Sequence, residues 1–394
     1  MKSPASSSSR KGWQLSWHDP TVRSVIYQIL IVGLVGLGIW YLVSNTLHNL
    51  SMRNIKTGFG FLHQEAGFAI GESSIEYRPA DSYGRAILVG LINTLRVSVI
   101  GIIAATLFGT ILGVARLSHN WLVSRVASVY IEVMRNIPLL LQLFFWYAII
   151  TENMPGPRQA HHPFPGVFIS NRGLKIPAVQ GDALDWMLAA AGVAIVLILL
   201  IAHWARRRQE ATGRQFPLVR AGLALLVGLP LLALWSSGAS LSLELPALKG
   251  FNFVGGLTLS PEFAALLLGL IVYTSAFIAE VVRSGIQAVG KGQWEAAQAI
   301  GLPRSRVLRL VILPQSLRVI IPPMTSQYLN LTKNSSLAVA IGYPDVVSVV
   351  NTTLNQTGQA IEGIIIIMAA YLTVSLSISV FMNWYNKRIA LVER

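Results

Sequence analysis

Two groups of side chains in this sequence have the types and spacing to act on something outside the chain. The first is Glu295-Ala296-Ala297, followed by Gly301 and, nine residues later, by Val311-Ile312-Leu313-Pro314. Residues 295–300 favour a helix, and Gly301 can end it in the left-handed conformation. A short helix, a turn and a second amphipathic helix are predicted here. Ala296 and Ala297 leave one helix face nearly bare, so a partner's groove can close on the backbone. Glu295 lies near the helix start, where negative charge is favoured, and is free to meet a partner's arginine. The chemistry on offer is docking.

The second group is Arg318, Gln327, Asn330, Lys333, Asn334, Ser335 and Ser336, set in or beside an apolar stretch that also holds Pro322-Pro323. Polar and ionisable groups at membrane depth are expensive and are candidates for function. A zwitterionic solute needs partners for both of its charges there. Two adjacent prolines remove two backbone donors and are predicted to kink or break the helix, which is tolerated only where backbone faces protein or a wet cavity. This helix is therefore predicted to line a substrate path. For Arg318 and Lys333 the competing reading is that they snorkel toward the interfaces.

Other constellations carry no chemistry. His161-His162 are neighbours, which rarely converge on one ion, and no third ligand is spaced to help. The chain has no cysteine, so a thiolate metal site or a disulfide framework is excluded. Gly285-Ile-Gln-Ala-Val-Gly290-Lys291-Gly292 nearly spells a phosphate-binding loop. Gly292, however, stands where a Ser or Thr should hold magnesium, and no strand precedes it. No HExxH, GxSxG or convincing carboxylate pair occurs in the apolar runs, so an intramembrane enzyme is not expected.

The elements that must position these residues are membrane spans. Hydrophobic residues make up 53% of the 394 and charged residues 12%, against about 25% charged in soluble domains. A net charge of +14 would suit nucleic acid, but the basic residues flank apolar runs, as positive-inside topology requires. The first run, residues 24–44, has 21 uncharged residues. That is too long for a signal-peptide core, and no small-residue cleavage site follows. Further spans are predicted at 97–115, 138–150, 186–205, 221–243, 260–282, 313–341 and 363–386. Gly109 and Gly113 have the small-residue spacing that lets helices approach, and Glu132 and Arg135 can pair on one helix face.

Eight spans place both ends on one side. The basic tail 1–23, the loop holding Arg206, Arg207, Arg208, Arg214 and Arg220, the connection 283–311 and the tail 387–394 all read as internal. Residues 45–85, with four Lys/Arg and four Asp/Glu, and the loops 151–184 and 244–258 read as external.

Glu-Ala-Ala, three residues, Gly, nine residues, Ile-x-Leu-Pro is the signature cytoplasmic loop of ABC importer permeases. This chain resembles it at Glu295, Ala296, Ala297, Gly301, Leu313 and Pro314, with Val311 replacing Ile as a conservative departure. Glu132-Val-Met-Arg135-Asn-Ile-Pro138, Phe277-Ile-Ala-Glu280-Val-Val-Arg283-Ser-Gly285-Ile, Pro314-Gln315 and Leu331-Thr-Lys333-Asn334-Ser335-Ser336-Leu337 resemble the polar amino-acid (histidine/glutamate/aspartate) permeases. The likeness covers roughly 86–150 and 258–386. The first span and the insert at 151–257 are similar to the long permease subunit of general L-amino-acid or glutamate/glutamine/aspartate/asparagine systems.

The resemblance implies an all-α polytopic protein of the bacterial inner membrane, with a type I ABC importer permease core over 86–386. It implies that residues 283–311 couple to a separate ABC ATPase, which holds the ATP and magnesium, so that this chain carries no cofactor of its own. A second, related and shorter permease, a periplasmic amino-acid-binding protein and an amino-acid substrate are the other implied partners. A secondary transporter driven by an ion gradient is the competing class. It would need a repeated pair of interrupted helices, and only one strongly interrupted span is legible.

Overall fold

The computed structural model describes residues 20–52, 57–181, 183–213, 216–238 and 242–389. Its helices are α1 (Pro20–Met52), α2 (Tyr83–Arg116), α3 (Trp121–Asn136), α4 (Leu139–Ala148), α5 (Ala183–Thr212) and α6 (Leu218–Ser237), followed by α7 (Pro261–Gln287), α8 (Lys291–Ala299), α9 (Arg304–Val307), α10 (Leu313–Asn334), α11 (Val346–Thr357) and α12 (Ala360–Ile389). Among the described residues, seven helices are long and apolar enough to cross a membrane. The pair α3 and α4, bent by 103° at Ile137-Pro138, makes eight if counted as one span. The eight predicted spans match that set. The predicted tails 1–23 and 387–394 fall outside the described residues except for 20–23 and 387–389, which are helical.

Local sequence explains where the helices begin. The Ser82 hydroxyl accepts from the Arg85 amide at 3.3 Å and Ser260 from Phe263 at 3.0 Å, each satisfying one of the free amides of the first turn. Pro261 takes the first helical position, where no amide is needed.

α2 and α7 form the central seam. A Cβ added at Gly109 would lie 2.7 Å from the Ile278 side chain, and one at Gly113 would lie 2.7 Å from the Ala279 carbonyl oxygen. The small-residue spacing read in the sequence is thus used inside the chain, to bring α2 onto α7. Around the seam, Val97, Leu143, Leu266, Leu270, Ile278, Met324 and Leu331 form one buried cluster from α2, α4, α7 and α10. α5 and α6 pack chiefly on each other, and α1 leaves its apolar side chains exposed, as a lipid-facing helix does.

Several expectations are corrected. The fifth span was predicted to reach residue 243, but α6 ends at Ser237, because Gly238 takes the left-handed conformation (φ 60°) and stops it. Among the described residues, eight short strands occupy the insert: β1 (His161–Phe164), β2 (Val167–Ser170), β3 (Gly173–Ile176), β4 (Ala178–Gln180), β5 (Ser242–Glu244), β6 (Ala247–Lys249), β7 (Asn252–Val254) and β8 (Leu257–Leu259). They make a sheet in the order β1-β2-β3-β8 and the two-stranded pairs β4-β5 and β6-β7. Loops separated by 60 residues of hairpin therefore meet as antiparallel partners, for example Leu174 opposite Leu259.

The double proline does not break its helix: α10 runs unbroken from Leu313 to Asn334. The carbonyls of Arg318 and Val319 lose their helical donors. Yet both rings lie on the exposed side, while Ile320, Ile321 and Met324 anchor the other side in the core.

Residues 57–82, read from sequence only as polar and external, form a strap over one end of the core. Phe61, Ala66, Tyr83, Ala86 and Val349 are buried together. Glu72 receives Arg96 at 2.8 Å and the Ser260 hydroxyl at 2.5 Å, tying the strap to α2 and α7.

Candidate functional site

The segment from Gly285 to Pro314 builds its own small core. Val289, Ala297, Val307 and Ile312 are buried together, with Trp294, Leu302 and Val311 packed around them. Ala297 is only 4% exposed, so the expectation that both alanines present a bare outer face is corrected: Ala296 is outside and Ala297 inside. The reason is helical periodicity, which carries adjacent residues about 100° apart.

α8 ends as its residues dictate. Gly301 has φ +78°, and its amide donates to Gln298 at 2.9 Å while the Leu302 amide donates to Ala297 at 3.3 Å. This closure absorbs the last carbonyls of the helix and leaves Glu295, Ala296, Gln298, Ala299, Ile300 and Pro303 exposed. Ile300 is 75% exposed.

The predicted second amphipathic helix is shorter than read. α9 has four residues and passes through a π-helical turn, Leu308–Ile312, directly into α10. No loop therefore separates α9 from α10. Gly285 lies inside α7 and Gly290 caps α8, so the near-phosphate-loop motif has no strand or cradle.

At the same end, Glu280 of α7 receives Arg116 of α2 at 2.5 Å and Arg283 at 2.5 Å. Glu132 was expected to pair with Arg135. It instead lies 3.9 Å from Arg116, and Arg135 stacks over the Phe277 ring with its guanidinium carbon 5.1 Å from the centroid. The tertiary neighbours outcompete a pairing along the helix worth only about 0.2–0.5 kcal/mol.

The candidate path residues divide between two environments. Asn330 and Lys333 are exposed and, with Val319, Pro322, Pro323 and Ser326, form one face of α10. Gln327 and Asn334 are half-buried at its edge. Arg318 is half-buried, with a buried Nε that has no partner among the described residues. Ser335 is turned inward, donating to the Thr332 carbonyl at 2.7 Å, and Ser336 donates to Lys333 at 2.7 Å. Arg318 and Lys333 are not brought together: fifteen helical residues separate them by about 22 Å.

What sequence reading missed at the other end is the Asn93–Asp345 region. The Asn93 amide donates to the Glu72 and Pro344 carbonyls at 2.9 and 3.0 Å. Asp345, between the spans, caps α11 by accepting from the Ser348 amide at 2.8 Å. Its burial pushes the carboxyl up to about 7. The one legible signal was an Asp followed by a β-branched run, the pattern of a helix start. His161 and His162 lie exposed in β1, and His162 meets the Phe168 ring edge-on.

Comparison with known proteins gives one family model and several full-length relatives. Residues 217–391 match the binding-protein-dependent transport system inner membrane component. A putative amino-acid ABC transporter permease protein of Escherichia coli is 54% identical over 383 residues, covering 96% of this chain and 97% of the relative. A general L-amino acid transport system permease protein of Rhizobium johnstonii is 50% identical, covering 97% of this chain and 96% of the relative. A glutamate/glutamine/aspartate/asparagine transport system permease protein of Rhodobacter capsulatus is 42% identical, with 99% of each chain covered.

Proposed function

Since the chain belongs to the amino-acid permeases of ABC transporters, a multi-pass inner-membrane family, we propose that it carries an amino acid inward, driven by a separate ATPase docked on residues 291–303. It is a transporter subunit and not an enzyme; ATP is hydrolysed on the partner. The observation that carries the docking reading is the surface around Gly301: Glu295, Ala296 and the strongly exposed Ile300 outside, and a private hydrophobic core beneath them. A rigid, shallow, mostly apolar surface with one acidic group suits a protein groove.

The π-turn from α9 into α10 makes α10 the element that moves with the docked partner. The polar, proline-bearing face of α10 then lines the path. Left against lipid, Asn330, Lys333 and the carbonyls freed by Pro322 and Pro323 would be costly. A second, related permease facing that side closes the path, and a periplasmic binding protein delivers the substrate to it. Changing Lys333, Asn334 and Ser335 to Ala one at a time is expected to lower uptake several-fold for the first two. It should do least for Ser335, whose hydroxyl is already spent on Thr332. ATPase binding is unaffected in each case. Unchanged uptake in all three variants removes this end of α10 from the path.

In the proposed topology both termini, residues 206–220 and residues 283–311 are cytoplasmic, and 45–85, 151–184 and 244–258 lie outside. The absence of native cysteine makes the test direct. Gln209→Cys is expected to react with an impermeant thiol reagent only after the membrane is opened, and Lys249→Cys from outside in intact cells. Labelling of Gln209→Cys from outside contradicts the eight-span topology.

A further inference from the structure

We propose that the groove between the end of α2, the start of α3 and the coupling segment binds an anionic phospholipid of the inner leaflet. The proposal rests on the cytoplasmic placement of residues 283–311 argued above. The groove has a volume of about 1030 Å³. Its wall is apolar, made by Leu117, Val123, Ile286 and Leu313, and its rim carries Lys291 and Arg309 with the hydroxyl-bearing Ser118 and Ser305. No aspartate or glutamate lines it among the described residues. Neither Lys291 nor Arg309 pairs with a carboxylate among them. Two cations beside an apolar trough, with no carboxylate paired to them among the described residues, complement an amphiphile with an anionic head.

Position selects the lipid. The groove opens where α2 stops at Arg116 and α7 at Gln287, the level at which the spans leave the bilayer. Trp121, 75% exposed at the start of α3, is an aromatic of the kind that sits at headgroup depth. Basic pockets between spans on the cytoplasmic side recognise anionic headgroups. A zwitterionic lipid would bring its own cation to a rim that is already positive. Trp294 and Leu308 also line the groove, so an occupying lipid touches the back of α8 and the turn into α10.

The test is photolabelling of the complete transporter, ATPase included, in nanodiscs containing phosphatidylglycerol with a diazirine on one acyl chain, the labelled peptides being mapped by mass spectrometry. Labelling is expected at residues 117–123 and 308–313. It should fall roughly thirtyfold in Lys291→Gln/Arg309→Gln, as expected for losing two cations each worth about 1 kcal/mol near the membrane surface. A phosphatidylethanolamine probe carrying the same diazirine is expected to label the groove weakly in the unaltered chain, a comparison that needs no variant. Equal labelling by the two lipids, undiminished labelling of the double variant, or cross-linking of the ATPase into the groove in place of lipid overturns the proposal. Labelling is read without transport. Absence of any ATPase contact around Gly301 in the unaltered complex, with labelling intact, therefore counts against the coupling reading alone.

Discussion

Replacing Gly301 with Asp is expected to lower ATP-driven uptake about tenfold or more while the chain still inserts in the membrane. The residue has φ +78°, and a side chain in that conformation costs roughly 1–2 kcal/mol, enough to weaken docking about tenfold. No heavy atom lies within 4 Å of an added Cβ, so the loss does not come from a clash inside the chain. The new carboxylate instead stands on the surface beside Ile300, where the partner must close. Gly301→Ala, which adds strain without charge, is expected to lose less, and Glu295→Lys to lose uptake by reversing the charge offered to the partner. Uptake and substrate-stimulated ATP hydrolysis fall together in the Asp and Lys variants, measured at equal amounts of membrane-inserted chain. Full transport by both variants with normal ATPase binding removes the docking role of this loop.

Replacing Gly109 or Gly113 with Val removes the folded protein itself. The first atom of any side chain at Gly109 would lie 2.7 Å from Ile278 and 2.8 Å from the Ser275 carbonyl. Backbone cannot rotate away as a side chain can, so α2 must lift off α7. Overpacking of this kind costs about 1–3 kcal/mol or more, and the seam organises the whole buried cluster. Accumulation and thermal stability in detergent are expected to fall sharply for Gly109→Val and measurably even for Gly109→Ala. Gly192→Ala, on α5 with nothing within 4 Å of the added carbon, serves as the control. It should be neutral or slightly stabilising, since Ala is the better helix former. A Gly109→Val chain as stable as the unaltered one contradicts the close α2–α7 packing.

The spans were legible because lipid imposes a rule that the sequence must obey locally: about 20 apolar residues with charges at the ends. The loop at residues 295–301 was legible for a similar reason. A helix former run, a glycine in the left-handed position and a turn are settled by neighbours in the chain, and the structure closes α8 on Gly301 as read. What depended on distant residues was not legible. Whether Glu132 prefers Arg135 or Arg116 is decided by α2 lying alongside, and which of Ala296 and Ala297 faces inward is decided by where Val307 and Ile312 return. Local propensity predicted a kink or break at Pro322-Pro323; α10 does not break there, and Ile320, Ile321 and Met324 are packed in the core beside the prolines. Two strand pairings of the insert, β3 with β8 and β4 with β5, escaped notice because their partners lie on either side of the α5–α6 hairpin. For the candidate path, composition marked the residues of α10, whereas their division between an exposed face and a buried edge required the helix to be placed against α7 and α12.

The central claim, that this chain passes an amino acid inward under the power of a separate ATPase, is tested most directly by reconstitution. The permease, its partner permease and the ATPase are placed in vesicles, with the binding protein loaded with radiolabelled glutamate or glutamine on the outward face and ATP on the inward face. Accumulation is predicted to require ATP, to stop when the ATPase is omitted, and to persist when every ion gradient is collapsed. Accumulation that continues without the ATPase and disappears with the ion gradient would contradict the account.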